Sequence, residues 1–61
     1  MSEASQSNIK EMAEKIAAIK QQAVELQQLS GGIQAVDKNA DRILASVKML
    51  EINVSDLADV V

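Results

Sequence analysis

Leu26-Gln27-Gln28-Leu29-Ser30-Gly31-Gly32-Ile33-Gln34-Ala35-Val36 decides the fold. Gly31 and Gly32 are the only glycines in the chain, they are adjacent, and a hydrophobic repeat changes phase across them. Each glycine costs roughly 1 kcal/mol relative to alanine inside a helix. Just past a helix end, the same residue suits the left-handed geometry that caps a C-terminus.

On the N-terminal side of this stretch, apolar residues fall at Ile9, Met12, Ile16, Ile19, Ala23 and Leu26. The alternating steps of three and four are a heptad seam, with Ile9, Ile16 and Ala23 at position a and Met12, Ile19 and Leu26 at position d. Continuing that register past the glycines would put Ile33 at d and Asp37 at a, a charge in a core row. Restarting it with Ile33 at a gives Ile33, Ala40, Val47, Val54 and Val61 in the a row. Val36, Ile43, Leu50 and Leu57 then form the d row, without exception over four heptads. So many β-branched residues weaken local helix preference, so packing must hold this helix.

The fold class expected is all-α: a two-helix antiparallel hairpin, about 9–29 and 33–61, turning at Ser30-Gly31-Gly32. Folding about that turn sets Leu29 near Ile33, Leu26 near Val36, Ile19 near Ile43, Met12 near Leu50 and Ile9 near Val54. Ala23 and Ala40 make a thin layer. The alternative is one long, glycine-interrupted coiled-coil helix, its stripe carried through a stammer by Leu26, Leu29, Ile33 and Val36. β-branched residues at a with Leu at two d sites would favour a parallel dimer of that helix. Residues 1–8 are small and polar and are expected to be a disordered tail, leaving 9–61 as a single helical hairpin domain. Asn8, three residues before Glu11, has the spacing of a capping box, and Ser7 is the other candidate cap.

The composition narrows function by exclusion. The chain has 61 residues and no Phe, Trp, Tyr, His, Cys or Pro. A domain this small buries only about 60% of its unfolded surface and ordinarily needs a disulfide, a metal or oligomerisation. Without cysteine or histidine, oligomerisation is the remedy left. Net charge is −3, and neither helical segment is basic, which argues against a phosphate-backbone binder. The first residues lack the basic and apolar regions of a secretory leader, and no apolar run is long enough for a membrane, so the expected setting is cytoplasmic. Asn53-Val54-Ser55 fits an N-glycosylation pattern, but that reading needs a secreted protein.

Three chemical readings fail on their residues. Asp37-Lys38-Asn39-Ala40-Asp41 begins like a calcium loop, but Arg42 stands at the sixth position and Lys48 at the twelfth, where glycine and a bidentate glutamate are required. Gly31-Gly32 has neither the lysine nor the preceding strand of a phosphate-cradling loop. The pairs Asp37/Asp41 and Asp56/Asp59 lie on helices with no water-excluding pocket to separate two carboxyl pKa values. No enzyme, cofactor, metal site or catalytic residue is therefore expected. Asp56 and Asp59 also oppose the helix dipole, so the last turn should fray unless a partner covers Leu57 and Val61.

What remains is surface for packing. The expected oligomer seam is Ile33, Val36, Ala40, Ile43, Val47, Leu50, Val54 and Leu57. Ala45, Met49 and Ile52 lie opposite it, with Leu44 beside it, and these four are the candidate partner-binding residues. A helix apolar on more than one face is usually buried. The expectation is therefore a small interaction or oligomerisation module: an adaptor, an assembly subunit or a chaperone-like partner of another helical protein. Its first partner would be itself, as two hairpins making a four-helix bundle. The alternative is a dimeric regulator of nucleic-acid or transcription-linked processes, supported only by Lys10, Lys15, Lys20, Lys38 and Arg42. In size and helix count the architecture resembles the small dimeric hairpins of the Rop type, whose family role is RNA binding. The chain departs from them in lacking the aromatic and a concentrated basic face, and its seam also lacks the central glutamine of SNARE helices.

Overall fold

A computed structural model describes residues 6–60, with side-chain surroundings described for residues 7–57. Two α-helices, α1 (Gln6–Ser30) and α2 (Gln34–Val60), pack against each other as an antiparallel hairpin. The long-helix alternative is thereby removed. Both glycines take positive φ, 62° at Gly31 and 93° at Gly32, and neither fits a continuous right-handed helix.

The turn is held by more than its glycines. The Ile33 N–H donates to the Ser30 carbonyl at 3.4 Å, and the Ile33 carbonyl accepts the Asp37 N–H at 3.0 Å, opening α2. The Ser30 hydroxyl accepts the Gly32 N–H at 3.2 Å and donates to Asp37 Oδ1 at 2.6 Å. One side chain thus satisfies a turn amide and ties the end of α1 to the first turn of α2.

α1 starts at Gln6, three residues before Ile9, and Ser7 and Asn8 sit within its first turn. Their modest helix cost, a few tenths of a kcal/mol each, is easily outweighed once Ile9 is anchored. Residues 1–5 and Val61 lie outside the described residues; the backbone of α2 continues to Val60.

The core is one row per helix. The buried hydrophobics among the described residues are Ile9, Ile16, Ala23, Ala40 and Val47, all at position a, with Val54 half-buried. Ala23 and Ala40 form the thin layer expected of them. The large d residues flank this row on one side, where Ile19 and Ile43 come together as the folding about the turn implies, but they stay part-exposed. On the opposite edge polar side chains at e and b bridge the helices. There Lys20 pairs with Glu51 at 3.4 Å, and the Gln27 amide donates to Asp41 Oδ1 at 2.6 Å and to the Asp37 carbonyl at 3.3 Å. These bonds bridge the two helices along the edge opposite the d rows. No polar side chain among the described residues is buried, and none is left unsatisfied in the interior.

Candidate functional site: the open d face

In an antiparallel hairpin that meets along its a rows, both d rows fall on one broad side and both e rows on the other. The structure follows this geometry. Ile19 and Leu26 from α1 and Ile43 from α2 line one shallow hollow on the d side. Met12, Ile19, Leu26, Ile43, Leu50 and Leu57 are each between 36% and 45% exposed, and Val36 is half-buried. The molecule measures 42 × 20 × 15 Å, so it is one helix thick, and none of the described residues lies over this face.

The expected seam therefore divides in two. Ala40, Val47 and Val54 serve the hairpin interior, Val36, Ile43, Leu50 and Leu57 stand on the d face, and Ile33 lies at the turn, 57% exposed. Beside it Leu29 is 83% exposed. The candidate partner residues also separate. Leu44 is an e residue half-buried in the hairpin, while Ala45, Met49 and Ile52 face outward on α2. A heptad pattern cannot distinguish these roles, because it reports that a and d are apolar and not which row meets which neighbour.

On the other broad side, Ile9, Ala13, Ile16 and Ala17 of α1 and Val54 of α2 line a largely apolar hollow of about 350 Å³, with Glu51 and Lys10 also on its walls. Alanines at e and b make room for this hollow, and its polar lining is Lys10, Glu51 and Ser55.

The polar residues do structural work. Asp37 and Asp41, imaginable in the sequence as calcium ligands or an acid–base pair, are held by Ser30 and Gln27. Among the described residues no group of three or more acidic side chains is placed to hold a metal ion, and no helix is long and apolar enough to cross a membrane. The cations proposed for nucleic acid do not gather on one face. Lys10, Lys15 and Lys20 occupy three different heptad rows, Lys20 is paired with Glu51, and Arg42 donates to Asn39 Oδ1 at 3.5 Å.

Comparison with protein-family models, with curated proteins and with solved structures finds no match to this chain.

Proposed function

We propose that this protein is a non-enzymatic helical interaction and oligomerisation module, and that the d face is its working surface. One observation carries the reading: six large apolar side chains on one side of two helices are each about two-fifths exposed, with none of the described residues layered above them. Full burial of a Leu, Ile or Met side chain contributes roughly 1.5–3 kcal/mol, and a substantial part of that is unrealised at each of these positions. Scattered exposed leucines need no explanation, whereas a contiguous stripe built at heptad spacing marks a packing surface. The natural complement of such a stripe is another helical surface with knobs at the same repeat. The same proposal places the module in the cytoplasm, where a chain without cysteine loses nothing to a reducing environment.

The test uses a tagged chain in native extract. Wild type should elute from a sizing column well above its 6.5 kDa mass, and a chain carrying Ile19→Lys with Ile43→Lys should elute as a monomer. Wild type and variant both eluting as monomers would remove the reading.

A further inference from the structure

Gly31, Gly32 and Ile33 are the one stretch between the two helices. Two bonds hold it, the Ile33 N–H to the Ser30 carbonyl at 3.4 Å and the Gly32 N–H to the Ser30 hydroxyl at 3.2 Å. A peptidase must draw its substrate into an extended strand, and here that extension breaks the fewest hydrogen bonds. The approach is open as well. A Cβ built on either glycine meets nothing within 4 Å, and Leu29 and Ile33 on either side are 83% and 57% exposed.

An exposed turn alone invites only random nicking, but two observations single this one out. Leu29 adds almost no burial to the hairpin, yet it stands on the surface beside Leu26, three residues earlier in α1 and also exposed. Counted back from the Gly32–Ile33 bond, these leucines are the fourth and seventh residues, and both glycines lie between them and the bond. That arrangement suits an enzyme that grips two apolar side chains and passes only residues without a Cβ through a narrow channel to its nucleophile. The second observation is what the cut releases. Ala40 and Val47 of α2 are buried against α1. Without α1 their row joins the d row, and Met49 and Ile52 already stand exposed on the outer side. Freed α2 is then apolar on nearly every side, the character of a helix that must be buried elsewhere. α1 is in this sense its cover.

We infer that the Gly32–Ile33 peptide bond is a processing site for a glycine-selective peptidase, which separates α2 from α1. Water adds across the amide. The C–N bond breaks, the hydroxyl joins the Gly32 carbonyl carbon and the hydrogen joins the Ile33 nitrogen, giving an acid and an amine. The cut falls just ahead of α2, so the Ile33 carbonyl keeps the Asp37 N–H that opens the helix. This goes beyond the reading of the d face and does not depend on what covers it.

The test follows the full chain, tagged at its C-terminal end, in the cells that produce it, by mass spectrometry of fragment termini. Wild type should yield a fragment beginning at Ile33, and Gly32→Ala should abolish it. Random nicking does the opposite, because alanine at φ 93° strains the turn and opens it. Leu29→Ala keeps helix preference and leaves the hairpin interior untouched. It should lower the fragment by roughly tenfold or more, the effect of emptying an apolar pocket. Circular dichroism of the purified variants checks their helix content, and Leu29→Ala decides the matter where Gly32→Ala fails to fold. No terminus at Ile33 in wild type, more of the fragment in Gly32→Ala, or an amount unchanged by Leu29→Ala overturns the inference.

Discussion

Ser30 Oγ lies 2.6 Å from Asp37 Oδ1, joining the last residue of α1 to the first turn of α2 across the two glycines. The same hydroxyl accepts the Gly32 N–H. A charge-assisted hydrogen bond in a part-buried position is worth more than a neutral surface one, on the order of 1–2 kcal/mol. Ser30→Ala and Asp37→Ala should each destabilise the hairpin by about that amount in urea unfolding at fixed chain concentration. A double-mutant cycle should show the pair coupled by at least ~0.5 kcal/mol. Strict additivity would mean the bond contributes nothing in solution.

The glycines should be irreplaceable for a backbone reason alone. A Cβ added at Gly31 or Gly32 meets nothing within 4 Å, so the cost of alanine is conformational and not steric. Gly31→Ala and Gly32→Ala should each cost about 1–2 kcal/mol. Gly31→Asn, at φ 62°, should cost less, because asparagine tolerates left-handed backbone. A rise in melting temperature on either alanine change would contradict the turn.

Ala40 is fully enclosed, 0% exposed, and sits with Ala23 in the thinnest layer of the interface. Ala40→Leu should overpack that layer and cost about 1–3 kcal/mol or force the helices apart. Ile16→Ala, which empties a buried position, should cost about 2–5 kcal/mol. Thermal unfolding at matched concentration reads both. An Ala40→Leu chain as stable as wild type would show that the helices do not approach closely there.

Lys20→Ala should change little. The Lys20–Glu51 pair is long at 3.4 Å and about half exposed on both sides. Exposed ion pairs contribute roughly 0–1 kcal/mol, so a loss above ~1 kcal/mol in denaturant titration would mean the e edge is drier than it looks.

The turn and both helices are legible in the sequence because their signals are large and local. Adjacent glycines fall where the heptad phase changes, and apolar residues keep strict three–four spacing on either side. The division of labour between rows is less legible. Ile16 and Ile19 differ in no property that a periodicity registers, yet Ile16 is buried in the hairpin and Ile19 stands open. The difference is which row meets the other helix; along the edge opposite the d rows Gln27, Asp37, Asp41, Lys20 and Glu51 pair between the helices. Polar positions carry no periodic signal. The clue available was spacing: Ser30 and Asp37 straddle the glycines seven residues apart, close enough to bond once the chain reverses. The start of α1 at Gln6 is equally hidden, because Gln, Ser and Asn are helical only when a neighbouring anchor makes them so.

The bonds across the hairpin grow steadily less local away from the turn. Ser30 and Asp37 are 7 residues apart, Gln27 and Asp41 are 14, and Lys20 and Glu51 are 31. Each doubling of the loop to be closed adds about 0.6 kcal/mol of entropy cost, so closing the turn first is the inexpensive route. The chain is therefore built like a zipper whose slider starts at Gly31-Gly32. Substitutions at Ser30 or Asp37 should slow folding, whereas those near Ile9 and Val54 should mainly hasten unfolding. Amide exchange should be quickest at that far end, where the two helices were the last to meet.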